Sequence, residues 1–157
     1  MKERIIVVGN GMVGHKVLEL MIGKGLHLST EIIAFCEEKR VAYDRVHLSD
    51  FFNGKSSEDL SLVEKGFYGK NNIEVRVGER VTKINPHSKC VHSRGARNEN
   101  IQEYDRLILA TGSYPFVPPI PGREMEGCFE YRSIDDLEKI AAFAPGCKAG
   151  AVIGGGL

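Results

Sequence analysis

The sequence predicts an α/β fold: a parallel sheet flanked by helices, with an antiparallel β insertion. Residues 4–8 (RIIVV) form an apolar, β-branched run of the kind that a strand covered on both faces needs, and the run is followed by glycine. Residues 12–24 continue with apolar side chains at helical spacing, and further strand-like runs recur at 31–35, 73–77 and 106–110. Shorter alternating runs separated by turn residues lie between the last two.

Residues 4–8 are the first strand. In the helix after it, Val13, Val17, Leu20 and Met21 are spaced by three and four, which puts them on one face turned toward the sheet; Gly23 and Gly25 end it. Residues 31–35 are the second strand. Residues 36–56 are polar and irregular, with a short helical turn at 48–52. A second long helix is expected over 57–70, because Ser57 precedes Glu58 and Asp59 while Leu60, Val63 and Phe67 share a face.

Residues 73–77 are the third parallel strand. Residues 81–84, 89–93 and 101–104 form an antiparallel set, turned by Asn85-Pro86 and by 95–100, and 106–110 return to the buried parallel type. Four prolines between Pro115 and Pro121 make a rigid extended exit. Residues 135–143 are a helix capped by Ser133 that stops before Pro145, and 149–153 begin another strand that runs into Gly154, Gly155 and Gly156. The expected organisation is a first domain over 1–122, a crossover segment with its connecting helix over 123–148, and the cut-short start of a second domain over 149–157.

Composition narrows the partners. Lys plus Arg and Asp plus Glu are 21 each, so no net field favours nucleic acid or an anionic membrane. No apolar stretch approaches a bilayer span and the opening residues lack a cleavable leader, so a soluble cytoplasmic protein is expected, with neither nucleic acid nor membrane as partner. Cys36, Cys90, Cys128 and Cys147 are scattered without redox-pair spacing and read as reduced thiols. His87, Cys90 and His92 lack a second ligand pair and sit in an alternating strand, so no metal site is expected.

The chemistry begins at Gly9-Asn10-Gly11-Met12-Val13-Gly14, a GxGxxG between strand and helix. Gly9 permits the tight turn, Gly11 lets a pyrophosphate reach the backbone, and Gly14 lets the helix lie close to the sheet. The amides opening the helix, at Met12 and Val13, face the phosphates, and the helix end carries an effective charge of about +0.5. Glu37 follows at about the twenty-residue spacing expected of an acid that accepts hydrogen bonds from the adenosine ribose, with Glu38 as adjacent competitor. An acid there fits the free 2′-hydroxyl of FAD or NAD and disfavours NADP. The pattern is that of a Rossmann-like domain.

Residues 104–113 (YDRLILATGS) are a strand closing on the small-residue turn Ala110, Thr111 and Gly112. This resembles the YDxLxxATG signature of two-dinucleotide flavoprotein reductases, in which that turn lies beside FAD. The blocks GNGMVGH, AYDRVHLSDFF, EDLSLVEKGFY, ATGSYPFVPPIPG and YRSIDDLEKI together resemble the large subunit of NAD(P)H-dependent assimilatory nitrite reductases, across essentially the whole chain. The resemblance implies a Rossmann-like FAD-binding domain. It further implies that FAD takes a hydride from NAD(P)H and passes electrons singly to an iron–sulfur cluster and sirohaem, where nitrite becomes ammonium. NAD(P)H, cluster and sirohaem would belong to the parent protein only, and the 157 residues alone are expected to lack NAD(P)H-driven activity.

The implied partners are FAD, the remainder of the parent polypeptide, and a small subunit or a second copy in a homodimer. The implied contacts are Arg45, on a loop approaching the flavin or its pyrophosphate, the Val81 backbone at the adenine, and Ala110 to Gly112. Asp50 stands where related ferredoxin reductases have a lysine, which puts a flavin contact there in doubt. No side chain is expected to act as general acid or base, and His15 and His47 read as surface residues. The alternatives are an NAD(P)H:rubredoxin or ferredoxin reductase and a non-catalytic nucleotide-binding module.

Overall fold

The first strand, β1 (Glu3–Val8), is buried on both sides, and its alternation divides the core in two. The computed structural model describes residues 2–154. Ile5 and Val7 pack with Leu18 and Met21 of helix α1 (Met12–Gly23), while Ile6 and Val8 pack with Val91 on the opposite face. A strand with no solvent face must be apolar at every interior position, which is why RIIVV shows no alternation. Each such side chain contributes about 1.5–3 kcal/mol on full burial.

After α1 comes a single helical turn, α2 (Leu26–Ser29), and then β2 (Thr30–Cys36), parallel to β1 with Ile6 opposite Ile33. The chain returns through α3 (Phe67–Lys70) to β3 (Ile73–Val77), parallel to β2. Strands β4 (Arg80–Asn85), β5 (Cys90–Arg94) and β6 (Glu99–Glu103) form a separate antiparallel sheet in that order, with a bulge between Val81 and Lys83. Finally β7 (Arg106–Leu109) pairs with β1 on its free side, giving the parallel order β3-β2-β1-β7. This is the expected parallel sheet with helices and an antiparallel insertion.

These elements belong to a first unit that runs through Asp44 and over Leu60–Ser113. A second unit comprises Arg45–Asp59 and the chain from Tyr114 onward. In it, the 3₁₀ helix Leu48–Asn53 packs on α4 (Ile134–Phe143), burying Leu48, Ile134 and Leu137. Ser133 caps α4 as expected. Its hydroxyl accepts from the Asp136 N–H, and the Asp136 carboxylate accepts from the Ser133 N–H at 3.0 Å, a reciprocal capping box.

Several expectations give way. No long helix forms over 57–70; only α3 is helical. Asp59 accepts from the Ser56 N–H and hydroxyl, both at 2.8 Å, so short polar side chains close the backbone locally. Residues 60–62 then take extended pairing: Asp44 N–H donates to the Leu60 carbonyl, and Leu62 N–H to that of Ala42. Gly66, at φ +80, would interrupt a helix in any case. The buried face of α1 is Gly14, His15, Leu18 and Met21, with Val17 half-buried, whereas Val13 and Leu20 are 68% and 55% exposed. The strand β7 is an edge with Leu109 exposed, not fully buried. Residues 149–153 form no strand and have no neighbour to pair with among the described residues; Gly155 and Gly156 of the expected second glycine turn lie outside them.

Candidate dinucleotide-binding site

The sheet changes direction at β1. The chain steps outward from β1 to β2 and β3, then returns to β7 on the other side, so the carboxyl ends of β1 and β7 meet at the switch point, the place where open α/β sheets bind ligands. Both sequence motifs end there. Gly9, at φ +101, follows β1 and donates its N–H to the Phe35 carbonyl at 3.0 Å. Ala110, following β7, donates its N–H to the Val8 carbonyl at 2.8 Å.

The three fingerprint glycines occupy unlike surroundings. A Cβ on Gly9 would lie 2.6 Å from the Ala110 carbonyl carbon and 2.9 Å from the Thr111 nitrogen. One on Gly14 would lie 2.9 Å from the Gly9 carbonyl carbon and 3.7 Å from the Ala110 Cβ. Two turns and the helix thus meet backbone to backbone. Gly11 differs: φ −88 is ordinary, and nothing lies within 4 Å of where its Cβ would be. This open side borders the first turn of α1, where the N–H groups of Met12, Val13 and Gly14 have no intrahelical acceptor. No side chain caps that end and no acid lies in the first turn. An anion at this position would supply the missing acceptors and meet the positive end of the helix.

Glu37 directly follows β2, with its carboxylate 3.6 Å from the Arg80 guanidinium. Its competitor Glu38 instead accepts the Tyr43 hydroxyl at 2.7 Å. Val81 is half-buried on β4 beside a cavity of about 410 Å³ lined by Arg80, Val81, Thr82 and Arg94. Thr111 and Gly112 continue the turn after β7, with Gly112 at φ +68. Arg45 belongs to the second unit, where it donates to the Arg132 carbonyl at 3.3 Å. In the same unit Asp50 pairs with Lys55 at 2.8 Å.

Two polar residues of the turn and helix are unexpectedly buried. Asn10 is 4% exposed and donates its amide to the Tyr68 hydroxyl at 2.7 Å, tying the glycine turn to α3. Burial raises the Tyr68 phenol above its ordinary range, opposed by the Asn10 bond. His15, expected at the surface, is also 4% exposed; it lies edge-on to Phe67 at 4.9 Å, with Nε2 3.7 Å from the Glu19 carboxylate. Its position one residue after Gly14, on the side that touches the sheet, was the available signal. Cys36 and Cys90 are buried free thiols, Cys128 and Cys147 exposed ones, and among the described residues no group of His, Cys, Asp and Glu is arranged to hold a metal ion. Nor is any described helix long and apolar enough to cross a membrane.

A parallel sheet with a glycine turn and an uncapped helix end at its switch point defines a dinucleotide-binding α/β domain. A family described as pyridine nucleotide-disulphide oxidoreductase matches residues 3–157, and the chain belongs to it. It is 50% identical over 156 residues to the nitrite reductase (NADH) large subunit of Escherichia coli (strain K12), covering 99% of this chain and 18% of that protein. Against the nitrite reductase [NAD(P)H] large subunit of Klebsiella oxytoca the identity is 49%, covering 99% and 16%. Among solved structures, the NAD-dependent persulfide reductase from A. fulgidus superposes with a TM-score of 0.82 at 28% identity, covering 91% of this chain and 28% of that one. The chain therefore spans less than one fifth of the nitrite reductase subunits it matches.

Proposed function

We propose that this chain is the FAD-binding part of a nitrite reductase-like flavoprotein and that it holds the ADP half of FAD at the switch point. The observation that carries this reading is the contrast among the fingerprint glycines: Gly9 and Gly14 are closed by backbone, while Gly11 faces open space beside the helix amides. A pyrophosphate fits that space. In this reading the Met12, Val13 and Gly14 amides bind phosphate, Glu37 accepts the ribose hydroxyls, and the Val81 backbone meets the adenine. The Ala110, Thr111 and Gly112 turn borders the cofactor.

When bound, FAD supplies a hydride acceptor that can release electrons singly. The residues of this chain orient it and set its electrostatics; none acts as general acid or base. In the parent, NAD(P)H would be the hydride donor, and an iron–sulfur cluster and sirohaem held outside these residues would supply the chemistry that turns nitrite into ammonium. Residues 1–122 form the FAD-binding part, 123–148 the crossover, and 149–157 the opening of the NAD(P)H-binding part. Near 50% identity over the full chain to two nitrite reductase large subunits supports this acceptor over a rubredoxin or ferredoxin. Ammonium assayed after the whole protein is supplied with NADH or NADPH and nitrite tests it. Stoichiometric ammonium is expected; oxidation of the nicotinamide only when rubredoxin or ferredoxin is added would overturn the nitrite reading.

A further inference from the structure

The turn between β3 and β4 touches the Glu37 loop on both sides of that residue. Gly78 N–H donates to the Glu38 carbonyl at 3.0 Å, and Glu79 N–H donates to the Cys36 carbonyl at 2.9 Å. The carbonyl groups of the two residues on either side of Glu37 are thus tied to two consecutive amides. Arg80, next along, places its guanidinium 3.6 Å from the Glu37 carboxylate.

This turn is itself anchored through Glu79. Its carboxylate accepts the Ser93 hydroxyl at 2.5 Å and the Asn100 amide at 3.2 Å, and lies 3.8 Å from the Arg76 guanidinium. The Glu79 side chain is only 13% exposed, and Ser93 1%. The partners sit on three strands, β3, β5 and β6, so one carboxylate fixes the turn to both sheets.

We propose that Glu79 and Arg80 are positioning residues for nucleotide recognition. Glu79 anchors the turn that fixes the backbone on either side of Glu37, and Arg80 orients the Glu37 carboxylate toward the ribose hydroxyls. The inference rests on the reading of Glu37 as ribose acceptor. Binding costs less when the accepting group is already ordered, because less conformational freedom is lost on complex formation. A carboxylate also has lone pairs enough to keep the Arg80 contact while accepting from a hydroxyl.

The test compares the binding of ADP and 2′-deoxy-ADP to this chain by titration calorimetry. A hydrogen bond to an ionised carboxylate makes ADP the tighter ligand by about tenfold or more. Glu37→Ala brings the ratio of affinities to about one. Glu79→Ala and Arg80→Met each lower the ratio by about twofold to fivefold, the range of a partly exposed ionic contact. A role confined to stability would weaken both nucleotides equally and leave the ratio unchanged. Should Glu79→Ala fail to fold, Arg80→Met decides alone, since the Arg80 side chain is 62% exposed. Full discrimination retained by a folded variant at either position overturns the positioning role; with Glu37→Ala levelled, the ribose assignment stands. Equal binding of the two nucleotides by the unaltered chain, or full discrimination by Glu37→Ala, overturns both.

Discussion

Gly11 and Gly14 share a motif but face opposite consequences of gaining a side chain. Gly11→Val adds bulk only to open space at an ordinary backbone angle, so stability should change by no more than about 1 kcal/mol, the scale of an N-cap substitution. FAD binding should nonetheless be lost, because the methyl groups fill the pyrophosphate position. Gly14→Ala drives a Cβ into the Gly9 carbonyl, and should cost about 1–3 kcal/mol of overpacking in urea unfolding. Wild-type FAD affinity in folded Gly11→Val would refute the phosphate assignment.

The same scale holds a pH prediction. The Tyr68 phenol titrates above its ordinary range when folded, chiefly through burial. Above pH about 10 the unfolded chain sheds this proton while the native state keeps it, so stability present below that pH is lost as pH rises through the folded value. Tyr68→Phe removes that contribution. Stability measured from pH 8 to 11 should fall less steeply in the variant; identical slopes would mean the phenol is not perturbed by its burial.

At the scale of elements, what could be read from the sequence followed what local chemistry decides. The strands β1, β2 and β3 and the Ser133 cap of α4 were legible because β-branched runs and an N-cap hydroxyl act locally, whereas the reciprocal bond to the Asp136 carboxylate was not expected. Ser133→Ala should cost about 1 kcal/mol, seen as a lower melting temperature, and the loss should shrink if Asp136 is already Ala. The face of α1 was misread because glycine carries no apolar weight in a periodicity count, yet Gly14 marks where the helix touches the sheet. The helix expected over 57–70 failed for local and non-local reasons together: Ser56 and Asp59 close the backbone locally, Gly66 takes a left-handed angle, and pairing of 60–62 with 42–44 outweighs the propensity of a mixed polar segment.

The candidate site divides the same way. The fingerprint glycines and the turn at Ala110 were legible as separate motifs, but their backbone contact, made across about one hundred residues of sequence, was not. Burial of Asn10 and His15 depends on Phe67 and Tyr68 arriving from α3, which no pattern near the turn announces.

At the scale of the molecule, a ligand that binds only the folded state must stabilise it. At 100 times its dissociation constant FAD should add about 2.7 kcal/mol, read as a rise in melting temperature that ADP reproduces in part. The central claim is that the ADP half of FAD sits on the β1–α1 turn, and its most direct measurement is titration of FAD into the purified chain, followed by quenching of flavin fluorescence, with ADP as competitor. The account predicts saturable one-to-one binding that ADP displaces and Gly11→Val abolishes. Absence of saturable binding, or binding that neither ADP nor Gly11→Val affects, would contradict it.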